Sequence, residues 1–222
     1  MEQEPATDSF ADLTVGQFIG RLSTSEPVPG GGAASAVAAA LGASLVSMVA
    51  ALSKGKPKYA AYEATLSRCH AVGNELAAEF LQLADRDSEA YAGYSAALKL
   101  PRETDAQIAA RRTAIQTAAR AAADAPWACV KACARLVVAA EALAGRSNVN
   151  AASDVLVAAL LGEAAARGAA ENVLINLPAT ADEHYSETMR WQVDTTLHEI
   201  AAVAARTREI VLSGQSQEPE PA

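Results

Sequence analysis

An all-α fold, an antiparallel bundle of about six or seven helices around one central apolar helix, is what this sequence predicts, and three observations carry the prediction. The first is composition: 51% of the 222 residues are hydrophobic but only 5% are aromatic. Alanine dominates, which favours helix and closely spaced elements. The second is the uncharged run Ala33–Ser53, made of Ala, Val, Leu, Gly, Ser and Met. A helix apolar all round belongs in the middle of a protein, and Ala36, Ala40, Gly42, Ser44 and Ser47 let its neighbours come close. The third is punctuation: few turn dipeptides and no run of strand-like alternation, so the connections are short and neighbours run antiparallel.

The elements follow in order. Residues 1–10 are acidic and polar and are expected to fray. Thr14 caps a short amphipathic helix whose stripe is Val15, Phe18, Ile19 and Leu22. Ser23 to Gly32 is a loop ending in Pro29-Gly30-Gly31-Gly32, and the central helix runs from there to about Ser53. Lys54-Gly55-Lys56-Pro57-Lys58-Tyr59 breaks it. A long helical pattern (Leu66, Cys69, Val72, Leu76, Phe80, Leu83, Tyr91, Tyr94) then extends from Tyr59 to about Leu98, and Pro101 stops it. Thr104 to Gln107 is a capping box opening a helix to about Ala123. Pro126 sits in the first turn of the next helix, which ends at Gly145. The loop Arg146–Asn150 leads into an apolar helix around Val155–Leu161 that continues to Asn176 and is ended by Pro178. Thr180 to Glu183 is a second capping box, opening a final helix to about Leu212. The Gln/Glu/Pro-rich residues 213–222 form a flexible tail. With no linker, repeat or composition shift, residues 1–222 are one domain with an ordered core of about 12–212, and the apolar surplus points to a homodimer.

Charge and cysteine usage exclude several function classes. A net charge of −8 argues against nucleic-acid binding, which needs a positive surface. No basic segment followed by an apolar core and cleavage site opens the chain, so a cytoplasmic protein is expected. Residues 33–53 reach the length of a membrane span, but their Ala/Ser/Gly content favours a buried core helix, and no membrane association is expected. Cys129 and Cys133 lie four apart with Cys69 far upstream, which is neither a redox motif nor a zinc set. His70, His184 and His198 have no ligand spacing, so no metal is expected.

Four places could carry chemistry. Amides of Gly31 and Gly32, at the positive end of the central helix, could hold an anion or a polar ligand edge; the alternative is a tight entry loop. Lys54, Lys56 and Lys58 could receive a carboxylate-bearing ligand or form a solvated basic turn. Asp87, Tyr91 and Tyr94, in the stretch that begins Asp85-Arg86, fall at i, i+4 and i+7 on one helix face, either orienting a ligand or holding each other. Asn148, Asn150, Ser153 and Asp154 place four polar side chains before an apolar helix, more than capping needs, and Asn172 and Asn176 add amides farther along it.

Taken in order, Pro29-Gly30-Gly31-Gly32, Gly55-Lys56-Pro57-Lys58-Tyr59, Asp87-Ser88-Glu89-Ala90-Tyr91, Leu100-Pro101, Asn148 to Asp154 and Asn172-Val173-Leu174-Ile175-Asn176 resemble the formiminotransferase-cyclodeaminase C-terminal family over residues 15–210. That family includes the cyclodeaminase half of a bifunctional folate enzyme and stand-alone methenyltetrahydrofolate cyclohydrolases. The resemblance implies an all-helical homodimer with a folate substrate near the subunit interface and neither metal nor other cofactor. It implies one of two reactions through a tetrahedral carbon between N5 and N10. One is cyclisation of 5-formimino-tetrahydrofolate with loss of ammonia; the other is hydrolysis of 5,10-methenyl-tetrahydrofolate to the 10-formyl form. Pro126-Trp127-Ala128-Cys129 with Cys133 is similar to the cyclohydrolases, which favours hydrolysis. The chain departs from the family pattern at Pro57, Tyr91 and Ser147, where lysine, phenylalanine and glycine are usual. Mapped onto this pattern, Asp154 is the acid/base, Asn148 and Asn150 position water or the pterin edge, and Asp87 stabilises the cation or binds the pterin amide. Lys56 and Lys58 meet glutamate carboxylates, and Gly31 and Gly32 permit close approach; Tyr91, Ser153, Asn172 and Asn176 complete the substrate contacts. A non-catalytic folate-binding helical dimer is the competing class.

Overall fold

The longest uncharged segment becomes the axis of the fold. In the computed structural model, which describes residues 9–219, the helices are α1 (Val15–Leu22), α2 (Gly31–Ser53), α3 (Glu63–Leu98), α4 (Asp105–Leu143), α5 (Ala152–Thr180) and α6 (Glu183–Ser213). Short 3₁₀ turns at Phe10–Asp12, Pro57–Tyr62 and Val149–Ala151 complete it, and no strand occurs among the described residues. Helix α2 packs against α3, α5 and α4, and α6 closes the far side against α5 and α4. Both α2 and residues 149–180 are long and apolar enough to cross a membrane by length and composition; in this bundle they pack as core helices.

Small side chains set the spacing. Ala33, Ala36, Ala39, Ala43 and Ala50 of α2 are fully or almost fully buried, so neighbouring backbones come close. At Gly73 of α3 two helix backbones meet directly: a Cβ there would lie 2.7 Å from the Ser47 amide nitrogen and 2.8 Å from the Ala43 carbonyl oxygen. Larger side chains (Phe80, Leu66, Leu76, Leu136, Leu143, Leu177) fill the remaining volume at 0% exposure. Burial of this kind is the main favourable term in folding.

The Thr104–Gln107 capping box opens α4 as expected, and the Thr14 cap of α1 is itself a capping box with Gln17. Four expectations are corrected. Helix α4 does not break before Pro126; it runs unbroken from Asp105 to Leu143 with that proline inside it. An interior proline costs about 3 kcal/mol and removes the bond to the carbonyl four residues back. Here that carbonyl, Ala122 O, accepts from Asn176 Nδ2 at 3.0 Å instead. Helix α5 also passes through Pro178 and ends at Thr180, so Asp182, not Thr180, caps α6 by accepting from the Tyr185 amide. In α1 only Phe18 is buried, leaving Val15, Ile19 and Leu22 of its stripe exposed. The chain ends are held inside the limits expected to be flexible. Ser9 and Phe10 bond the Asp85 carboxylate; Gln217 N donates to Gly145 O, Tyr62 to Gln217 O and Arg146 to Glu218 O. Residues 1–8 and 220–222 of those two segments lie outside the described residues.

The α5–α6 joint carries local strain. Ala181 has φ of 50°, in the left-handed region, where a Cβ costs about 1–2 kcal/mol. The turn is fastened by the Arg120–Asp182 ion pair at 3.1 Å and by Tyr185, which donates to Asp124 at 2.7 Å under the Arg120 guanidinium. Ala181→Gly is expected to raise the melting temperature by about 2–4 °C, the shift that about 1 kcal/mol produces in a domain of this size. A differential scanning calorimetry trace with an unchanged or lower midpoint would show that the turn is not strained.

Candidate functional site

The glycine triplet builds one wall of a cavity. Gly30 is the N-cap of α2 and offers no side-chain oxygen to the first-turn amides. That role passes to Asp87 of α3, whose carboxylate accepts from the Ala33 amide. A Cβ on Gly32 would lie within the volume of the Asp87 carboxylate, so glycine is required for this close approach. The anion expected at the helix terminus is therefore supplied by the protein's own side chain.

Around Asp87 the cavity, about 200 Å³, is lined by Pro27, Val28, Gly30, Gly31, Tyr91, Tyr94, Ala122, Asn172 and Asn176. The i, i+4, i+7 face of Asp87, Tyr91 and Tyr94 is realised on α3. Opposite it, α5 contributes two amides. Asn172 donates from Nδ2 to Gly168 O at 2.9 Å, and Asn176 donates from Nδ2 to Asn172 O at 2.7 Å and to Ala122 O. With both N–H groups turned onto backbone, Asn176 offers oxygen to the cavity, while the Asn172 Nδ2 lies toward Gly31. Burial pushes the Asp87 carboxyl up from the usual carboxylate range, partly offset by the Ala33 amide. A half-buried carboxyl of raised affinity for protons, faced by the Asn176 amide oxygen and two phenols, can exchange a proton with a bound ligand and favours one that is cationic or carries N–H donors. The neighbouring Asp85, two residues away, does a different job: it accepts from Ser9 and Phe10 and anchors the chain start.

The other predicted residues lie at the opposite end of α2. Its 23 residues span about 33 Å, with Gly31 and Gly32 at one end and Lys54, Lys56 and Lys58 just past the other. Lys56 and Lys58 are exposed, and the Lys58 ammonium lies 5.4 Å from the centre of the Tyr59 ring. Ser53, fully buried, donates to Val49 O and accepts from the Asn148 amide at 2.8 Å, which ties the 148–154 segment to this end. Asn148 accepts from the Asn150 amide at 3.2 Å and opens the 3₁₀ turn before α5. Ser153 is exposed, and Asp154 stands in the first turn of α5, half-buried. A cavity of about 170 Å³ here is lined by Ser147, Asn148, Val149, Ala152, Gln215 and Ser216 among others. Within one chain, then, Gly31, Gly32, Asp87, Tyr91, Asn172 and Asn176 come together, and Lys56, Lys58, Asn148, Asn150, Ser153 and Asp154 form a separate group. Ala122 and Val28 lacked any local signal as lining residues, because only the long-range packing of α4 and the loop brings them in. No group of three or more His, Cys, Asp or Glu side chains suited to a metal occurs among the described residues.

Comparison with known proteins adds the following. Residues 14–195 match the family model described as formiminotransferase-cyclodeaminase. The chain is 37% identical over 200 residues to methenyltetrahydrofolate cyclohydrolase of Methylorubrum extorquens, covering 90% of this chain and 96% of that protein. It is 32% identical over 197 residues to formimidoyltransferase-cyclodeaminase of Rattus norvegicus, where it spans 36% of the longer protein. The crystal structure of formiminotetrahydrofolate cyclodeaminase from Thermotoga maritima superposes with a TM-score of 0.83 at 28% identity, over 91% of this chain and 98% of that one.

The raised proton affinity of Asp87 links the site to stability. Between the ordinary aspartate pKa and the raised one, the folded state binds more protons than the unfolded chain, so stability falls as pH rises through that window. Asp87→Asn, which keeps the acceptor for Ala33 and removes the buried charge, is expected to melt above the wild type at pH 7. The gap should close as pH drops below the ordinary aspartate range. Melting curves across pH check this; a variant less stable at pH 7 would mean that the helix-terminal charge interaction outweighs burial.

Proposed function

The chain belongs to the formiminotransferase-cyclodeaminase family, and on that premise we propose that it is a methenyltetrahydrofolate cyclohydrolase, converting 5,10-methenyl-tetrahydrofolate and water to 10-formyl-tetrahydrofolate without a metal or other cofactor. The observation that carries the reading is the Asp87 cavity: a carboxyl of raised pKa beside the Asn176 amide oxygen suits a cationic, N–H-bearing heterocycle. End-to-end similarity to the M. extorquens cyclohydrolase supports hydrolysis. Asp87 takes a proton from water as its oxygen bonds to the bridging carbon, discharging the amidinium cation. It then returns that proton to N5 as the carbon–N5 bond breaks, and the hydroxyl proton leaves to solvent as the formyl C=O forms on N10. One water is consumed and one proton released. Asp87, not Asp154, is the acid/base in this scheme.

The second group of polar residues enters through a homodimer. Leu41, Met48 and Leu52 of α2 expose an apolar stripe, at 55%, 40% and 41%, continued on α5 by Val157 and Leu160. An isologous contact with its two-fold axis near the middle of α2 lays one helix antiparallel to its copy. That arrangement brings Lys56, Lys58, Asn148, Asn150, Ser153 and Asp154 of one protomer to the Asp87 cavity of the other, where the lysines meet the glutamate carboxylates and the asparagines position water.

A second reading, cyclodeamination of 5-formimino-tetrahydrofolate, is favoured by the similarity to the single-domain T. maritima cyclodeaminase; it uses the same tetrahedral carbon. Absorbance of the methenyl band separates the two. Purified protein is expected to speed its loss, and Asp87→Asn to slow that about 10²–10⁴-fold. Appearance of the band from the formimino substrate, with ammonia released, would instead make it a cyclodeaminase. Folate binding without either change would make it a binding protein. For the shared site, Asp87→Asn and Asn150→Ala chains, each inactive alone, are refolded together. About a quarter of wild-type activity should return, since half the dimers are mixed and each has one intact site. No recovery would remove Asn150 from the partner's cavity.

A further inference from the structure

We propose that Pro126 is a positioning residue for the substrate: by lacking an N–H it frees the Ala122 carbonyl, and that carbonyl holds the Asn176 amide so that its oxygen faces the cavity. The chain of contacts is short. In an uninterrupted helix the amide of residue 126 would bond to Ala122 O; proline cannot. The orphaned carbonyl lies on the wall of the Asp87 cavity, and Asn176 Nδ2 reaches it from α5 at 3.0 Å while giving its other N–H to Asn172 O at 2.7 Å. Both N–H groups of that side chain are thereby spent on backbone, and its Oδ1 has no protein partner. An amide able to turn could present either a donor or an acceptor. Fastened at both hydrogens, this one presents an acceptor alone.

The polarity of the wall follows from that. Asp87 supplies a second acceptor, while Asn172 bonds Gly168 O through Nδ2, which also lies toward Gly31. A ligand with N–H groups at this edge is matched, and one with lone pairs there is rejected. The inference rests on the folate reading for the ligand's identity, not for the hydrogen-bond geometry. Pro126 is itself buried in the interior of α4 and takes no part in the chemistry.

Pro126→Ala tests it. The variant regains an amide that can close on Ala122 O, and it exchanges a poor helix residue for the best one, so it is expected to fold at least as stably as the wild type. Hydrogen exchange of the Asn176 side-chain amide, followed by NMR without substrate, should quicken about threefold, because Ala122 O is then shared with the restored backbone amide. With methenyl-tetrahydrofolate, KM should rise about tenfold and kcat stay within about twofold, the pattern for an interaction made equally in ground and transition states. Asn176→Ala should raise KM similarly, and the double variant should add nothing further. Unchanged exchange together with unchanged KM overturns the proposal and leaves Pro126 as a tolerated interruption. Wild-type protein inert towards folates would remove the functional reading, while the exchange experiment would still decide the proline's role.

Discussion

A carboxylate and a helix terminus share one small volume, and most of the architecture depends on that. Asp87 reaches the first turn of α2 only because residue 32 has no side chain. Through that contact α3 finishes the capping that Gly30 leaves undone. The same helix pair closes tightly again at Gly73, against the backbone of Ala43 and Ser47. Held at two levels, α2 and α3 form a rigid pair on which α4 and α5 lie, and the cavity is what remains where the loop 27–30 and the far half of α5 cannot meet. The burial that raises the Asp87 pKa comes from the packing that holds the bundle together, so reactivity and stability pull against each other at this residue.

Much of this was legible in the sequence because the relevant physics is local. Uncharged composition marked α2, Thr14 and the Thr104–Gln107 capping box marked two helix starts, and the i, i+4, i+7 spacing put Asp87, Tyr91 and Tyr94 on one face. The failures have a common cause in partners distant along the chain. Proline rules correctly state that residue 126 cannot bond Ala122, but they do not know that Asn176 will, so the sequence suggested two helices where there is one. The same holds at Pro178, where α5 continues to Thr180 and the cap shifts to Asp182. Motif order along the chain carried no information about which end of a long helix each motif would reach. Within one chain the length of α2 separates the Asn148–Asp154 segment from Asp87, and only the proposed dimer brings them to one site.

That separation changes how the family resemblance is to be understood. Within one chain the aspartates at 87 and 154 have different surroundings: the first is half-buried against a helix terminus and the Asn176 amide oxygen, and the second sits in the opening turn of α5. That difference is why the proposed scheme gives the acid/base role to Asp87. Its cavity is lined by acceptors and phenols rather than by cations, which suits an amidinium ring and leaves carboxylate recognition to residues elsewhere.

The first and last described stretches of the chain are fastened to different ends of the bundle. Ser9 and Phe10 are bonded to Asp85, one helical half-turn from Asp87, while Gln217 and Glu218 are bonded to Gly145 and Arg146, just before Asn148. Each stretch is therefore a handle on one group of polar residues. A fluorophore or spin label joined near residue 9 reports on the face of α3 behind the Asp87 cavity, and one joined near residue 217 on the turn before Asn148. Tension applied between the two attachment points would load the bundle along the length of its central helix, so the wiring of the chain makes this fold a strut whose two polar ends can be addressed independently.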